Sequence, residues 1–153
     1  MSSNGSEEYG HIVKMLQRYA IQLAGRVGIA CKKAGMGSGS DVQTSVSLVP
    51  DSNAAIKTIF GTQISKGLAT LGPLTQESLQ IGLSGCVSIP TFHQKSLTFI
   101  LFINGRLVES APIKRAITSL YSQFLPKGTS PFVYLDLGMP PQRDCFAKAL
   151  NEC

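Results

Sequence analysis

The sequence predicts an α+β domain, a mixed sheet with helices packed on one face. Three observations carry this reading. Apolar residues recur at helical spacing in three stretches, and alternate or run continuously in five others. These stretches come in the order helix, strand, strand, helix, strand, strand, helix, strand. The chain has 153 residues, 43% hydrophobic and 15% charged, which is a globular composition long enough for one real core.

Residues 1–8 are polar and acidic and read as a flexible tail. Ile12, Leu16, Tyr19, Ala20 and Leu23 then place a helix over residues 9–24, with Lys14 and Arg18 one turn apart on another face. Gly25 is its stop. Val27, Ile29 and Cys31 alternate with small or polar residues as a half-buried strand does. The glycine-serine stretch 35–40 is a hairpin connection, and Val42, Thr44, Val46 and Leu48 supply the return strand. Pro50 ends that strand, and Asp51 or Ser52 can cap the next helix. Ile56, Ile59, Phe60, Ile64 and Leu68 share one face of it, with Gly61 and Gly67 predicting a bend or an early end. Residues 79–89 read as a long strand bulged at Gly85. Residues 97–103, apolar apart from Thr98, suit a central strand covered on both faces. The stripe Ile113, Ala116, Ile117, Leu120, Tyr121, Phe124 is the last helix, closed by Pro126, and residues 132–137 are the last strand.

Composition excludes several classes. No apolar run approaches the roughly eighteen residues of a membrane helix, so no membrane partner is expected. The N-terminus has neither a secretory nor a transit-peptide pattern. The cysteines at 31, 86, 145 and 153 form no zinc spacing and read as reduced thiols. His93 follows Pro90-Thr91-Phe92 in a loop, with no nucleophile and acid in its sequence context. Asp51, Glu77, Asp136 and Asp144 are too scattered for a metal cluster. No catalytic residue is therefore assigned. The net charge is +5, and residues 9–40 hold five cations (Lys14, Arg18, Arg26, Lys32, Lys33) without an acid. Such a stripe suits a polyanion or is simply a solvated face.

The segment Phe102-Ile103-Asn104-Gly105-Arg106-Leu107-Val108-Glu109-Ser110 is the most informative. Asn104-Gly105 supports a tight turn because both residues tolerate positive φ. Arg106 then projects from a strand end ahead of a helix, suited to a phosphate or an acidic partner. Pairing with Glu109, or capping of a carbonyl, stands beside that as the structural alternative.

This segment resembles a signature of the MutL family of DNA mismatch repair proteins. The likeness extends through Leu125-Pro126-Lys127-Gly128-Thr129-Ser130-Pro131-Phe132-Val133-Tyr134-Leu135, with Tyr9-Gly10, Arg18-Tyr19 and Ile59-Phe60-Gly61. It covers roughly residues 8–142 and is nearest the MutL homolog 1 subfamily. The resemblance implies a transducer domain with a left-handed βαβ crossover, similar to the second domain of ribosomal small-subunit protein five. Residues 9–24 would be the connector helix from an ATPase domain of the GHKL type, residues 25–138 the transducer, and residues 139–153 a divergent tail. It further implies a nuclear protein of DNA mismatch repair. Its partners would be duplex DNA, a second MutL homolog in a heterodimer and a MutS-type recognition protein. ATP and magnesium belong to the full-length family, and no cofactor is assigned to this chain. Arg106 matches the arginine of the family's Asn-x-Arg segment, to which a DNA backbone contact is assigned, and Lys14 and Arg18 join it as DNA-binding candidates.

The chain also departs from the family. The ATPase motifs are absent, so no enzyme activity is expected of it alone, and residues 35–40 follow no P-loop pattern. After Pro141-Gln142 the family's Asn-Val-His-Pro-x-Lys strand is missing. Lys148 does not stand at the matching position, and the sheet is expected to be truncated at its last strand. A sheet opened in that way could instead serve as a protein-interaction module that docks an ATPase domain or a repair partner without binding DNA.

Overall fold

The computed structural model describes residues 5–35 and 41–140. The chain divides into two compact units, Met1–Ser65 and Lys66–Cys153. Residues 1–4 of the expected tail, most of the 35–40 connection and the sequence from 141 onward lie outside the described residues.

The first unit opens with helix α1 (Gly5–Gln22). It begins four residues before the expected start, because Glu7 and Glu8 sit in its first turn, where carboxylates oppose the positive end of the helix dipole. Ala20, Ile21 and Ala24 are buried. Strands β1 (Ala30–Cys31) and β2 (Val42–Gln43) pair antiparallel over two residues each. The hairpin expected across 35–40 is thus framed by its flanks. The longer strands expected over 27–31 and 42–48 are not there: Val46, Leu48 and Val49 are strongly exposed, and alternation without a neighbouring layer does not extend a ladder. Helix α2 (Ser52–Phe60) is capped by Asp51, whose carboxylate accepts from the Asn53 N–H at 2.9 Å. It packs on α1 through the buried Ala55 and Ile56. The chain breaks at Gly61, φ +98°, into the short helix α3 (Thr62–Lys66).

The second unit is a five-stranded mixed sheet with the order β3-β4-β7-β5-β6. Strand β3 (Leu68–Gln76) was not expected from the sequence, and Leu68 opens it instead of closing a helix. It is an edge strand, mostly exposed, and Gly72-Pro73 interrupts it where the register slips between Leu71 and Leu74. The irregularity expected at Gly85 therefore sits on the facing strand. β4 (Ile81–Ser88) runs antiparallel to β3 and to β7 (Phe132–Gly138). Gly85 pairs with Leu71 and Leu135, and a Cβ there would stand 2.1 Å from the Tyr134 carbonyl oxygen. Its role is close strand approach.

β5 (Thr98–Ile103) and β7 are parallel neighbours, joined through β6 (Arg106–Leu107) and helix α4 (Ala111–Tyr121) in a βαβ crossover. Phe99, Leu101, Ile103, Val133 and Leu135 form the core on the side where Ile113, Ile117 and Tyr121 of α4 pack. The opposite side is buried too, at Ile100, Phe102, Phe132 and Tyr134. The Phe102 and Tyr134 rings meet edge to face at 6.4 Å between centroids. Leu120 and Phe124, expected in the buried stripe of α4, are exposed, and Leu125 is buried in their place as the chain turns after Tyr121. The Ser88 hydroxyl accepts from the Phe132 N–H at 2.7 Å and donates to its carbonyl at 3.2 Å, while Tyr121 donates to the Ser88 carbonyl at 2.6 Å. Among the described residues no helix is long and apolar enough to cross a membrane.

Candidate nucleic-acid interface

The site grows out of the exit of β5. Phe102 and Ile103 are buried and fix the strand end. Asn104 and Gly105 then take φ of +50° and +75°, the two positive values that a two-residue type I′ turn needs. The chain returns at once, with Ile103 facing Arg106 and Phe102 facing Leu107. Arg106 lies on the outermost strand of the sheet, exposed, paired across the hairpin with the buried Ile103. After it the Val108 N–H donates to the Leu101 carbonyl at 2.9 Å. Ser110, itself buried, caps α4 by accepting from the Ile113 N–H at 3.5 Å. Arg106 was expected just ahead of a helix. It sits instead on a short return strand, with three residues between that strand and α4.

The turn is also tied sideways. The Asn104 N–H donates to the Leu137 carbonyl at 2.8 Å. The Asn104 amide nitrogen donates to the Met139 carbonyl at 3.0 Å, and its amide oxygen accepts from the Met139 N–H at 2.8 Å.

The described residues of the second unit carry a net positive charge. Residues 66–140 hold six lysines and arginines against three acids. Lys114 and Arg115 are exposed at the start of α4, where no acid occupies the first turn. They rim an open groove of about 510 Å³ with Leu97, Ala111 and Thr118. Sequence reading had not singled them out. The apolar stripe of α4 drew attention to its buried side, and the cations stand on the other.

Lys14 and Arg18 are brought together by α1 in the first unit, Lys14 exposed and Arg18 half-buried. Arg106 belongs to the second unit. The basic stripe of the first unit is less open than its sequence suggests. The Lys33 ammonium lies 5.7 Å from the centre of the Tyr9 ring. Tyr9 donates to the Asp41 carboxylate at 2.5 Å, and the Cys31 thiol donates to the Tyr9 oxygen at 3.7 Å. The hydrogen bond to Asp41 raises the Tyr9 phenol well above its ordinary pKa, with burial and Cys31 adding to the shift. His93 is exposed in a loop. Among the described residues no group of histidine, cysteine, aspartate and glutamate could hold a metal ion.

The five-stranded mixed sheet with its βαβ crossover is consistent with the transducer fold that the sequence resemblance implies. The family model described as "DNA mismatch repair protein, C-terminal domain" matches residues 56–144. The MutL protein homolog 1 of Schizosaccharomyces pombe is 38% identical over 144 residues, covering 92% of this chain and 20% of that protein. The chain belongs to the MutL family of DNA mismatch repair proteins. It spans about a fifth of the length of that relative. Two solved structures share the fold. The N-terminal domain of a DNA repair protein has a TM-score of 0.68 at 19% identity, over 86% of this chain and 42% of that one. The Aquifex aeolicus MutL ATPase domain complexed with ADP has a TM-score of 0.56 at 13% identity, over 99% of this chain and 50% of that one.

Proposed function

We propose that this chain is the transducer portion of a mismatch repair protein that binds duplex DNA through its backbone, without reading sequence. The observation that carries this is Arg106, exposed on the return strand of a hairpin whose turn residue Asn104 is hydrogen-bonded to Leu137 and Met139. A guanidinium on a stiff support loses little freedom on meeting a phosphate. Lys14 and Arg18 add contacts from the connector helix over residues 9–24, with residues 25–138 as the transducer proper. In the longer protein the transducer couples the ATP state of a GHKL domain to repair in the nucleus. It works there with a second MutL homolog and a MutS-type protein. On its own the chain is expected not to hydrolyse ATP.

Titration of the 153-residue chain with duplex DNA across a salt series tests this reading. Affinity should fall steeply with salt, because phosphate contacts release counterions. Arg106→Glu should weaken binding and reduce the salt slope by about one, with the melting curve unchanged. Equal affinity of the two proteins would sink the assignment.

Val46, Leu48 and Val49 support a second reading. They are 68%, 103% and 73% exposed in the first unit, a run of apolar side chains suited to a protein partner. The chain would then dock a GHKL ATPase domain and leave DNA alone. Binding to a separately expressed domain of that type, with none to DNA even at low salt, would favour it.

A further inference from the structure

Asn104 does more than turn the chain. The β5–β7 ladder runs from Thr98 opposite Phe132 to Ile103 opposite Leu137. The Asn104 N–H extends it by one bond, to the Leu137 carbonyl at 2.8 Å. There the backbone leaves the sheet to form the turn, and the ladder should end. The side chain takes it over. Its amide has the donor and acceptor of a peptide group, and it meets the Met139 N–H at 2.8 Å and the Met139 carbonyl at 3.0 Å. The return strand β6 is only two residues long, so its own ladder restrains the hairpin weakly. The amide clamp supplies the restraint that a longer strand would have given.

We propose that Asn104 is the positioning residue of this interface, fixing the hairpin that carries Arg106 to the chain leaving β7. The inference rests on the reading of Arg106 as a DNA contact. The residue type follows from the geometry. The backbone sits at φ +50°, which asparagine tolerates and most residues do not. Aspartate would keep the acceptor for the Met139 N–H and lose the donor. Glycine would keep the turn and lose both. Because the clamp reaches Met139, the main chain at 137–139 and the aim of Arg106 form one mechanical unit.

The test is a double-mutant cycle on the 153-residue chain, read by affinity for duplex DNA and by hydrogen exchange at the Met139 amide. Asn104→Gly should weaken binding by roughly three- to tenfold, the equivalent of one modest hydrogen bond, and should speed exchange at Met139. Asn104→Asp should keep more of the Met139 protection, because its carboxylate still accepts that N–H. In an Arg106→Ala background Asn104→Gly should change affinity little, since the group it positions is gone. An equal loss in both backgrounds would mean general damage to the fold and would overturn the proposal. So would faster Met139 exchange with unchanged affinity. If Arg106→Ala binds as the wild type does, the DNA reading fails and takes this role with it. If Arg106→Ala weakens binding and Asn104→Gly does not, the positioning role alone fails.

Discussion

In the second unit β5 pairs with β7 over six residues, and every residue from Phe99 to Ile103 is buried. In the first unit β1 and β2 pair over two residues each, and only Val42 of the four is buried. Both regions pair backbone to backbone, and the difference lies in what surrounds them. β5 has a strand along one edge, a short return strand on the other and α4 across one side. The β1–β2 hairpin is a two-stranded sheet, and such a pair is marginal without further layers. The lesson is that backbone pairing alone does not make a strand durable; burial of the residues it carries does. A turn that must hold a side chain still gains by being built on the durable kind, and the Asn104-Gly105 hairpin is built there.

The largest expected effect tests the durable side. Leu101 is fully buried in the core facing α4. Leu101→Ala should cost about 2–5 kcal/mol in urea unfolding, through lost transfer energy and the cavity left behind. A loss below about 1 kcal/mol would mean the site collapses freely and the comparison with the hairpin fails. Ser88→Ala comes next. The hydroxyl is buried and serves both polar groups of Phe132, so its removal strands a buried N–H at about 1–3 kcal/mol. On the weaker side, Val42→Ala removes two methyl groups from the one buried residue of the hairpin and should cost about 1–2 kcal/mol. Its signature should be local. Exchange at the Thr44 amide, bonded to the Ile29 carbonyl at 2.8 Å, should speed up while the β5 amides stay protected. Loss of protection in β5 as well would tie the hairpin to the central sheet and erase the contrast.

These elements were not equally legible in the sequence. β5 and β7 read clearly because strands covered on both faces are continuously apolar, and no helix that short would be. The turn read clearly because Asn104 and Gly105 are the residue pair that two positive φ values select. Arg106 was legible as an exposed cation for the same reason. β3 was invisible. Gly72-Pro73 punctuates it, its residues are mostly exposed, and Leu68 continues the helical period of Ile56, Phe60 and Ile64 by accident. Val46 and Leu48 misled in the other direction, since they alternate like a strand yet face no layer. The Asn104 clamp was illegible on principle. Its partner lies 35 residues away, and the two meet only because β5 and β7 are parallel neighbours. Local pattern records which way a side chain points far better than what it meets.

The smallest expected effect probes how α4 is fastened to the sheet. Tyr121 packs its ring against the core and donates to the Ser88 carbonyl at 2.6 Å. Tyr121→Phe keeps the ring and removes one partly buried hydrogen bond, a loss of about 1 kcal/mol. The pH dependence identifies the cause. Burial raises the Tyr121 phenol above its ordinary value of 10.0. The folded state therefore holds its proton at a pH where the unfolded chain has begun to release it. With fewer protons bound in the unfolded state, stability falls as pH rises. The contribution is fully present below pH 10 and is lost as pH climbs through the raised value. Tyr121→Phe should flatten this alkaline limb in unfolding curves taken on either side of pH 10. Tyr9 shifts in the same direction in the other unit, where its hydrogen bond to Asp41 is the leading cause. Tyr9→Phe should then remove a separate part of the limb. If the Tyr121 variant keeps the whole slope and the Tyr9 variant abolishes it, the alkaline weakness belongs to the first unit and not to the fastening of α4.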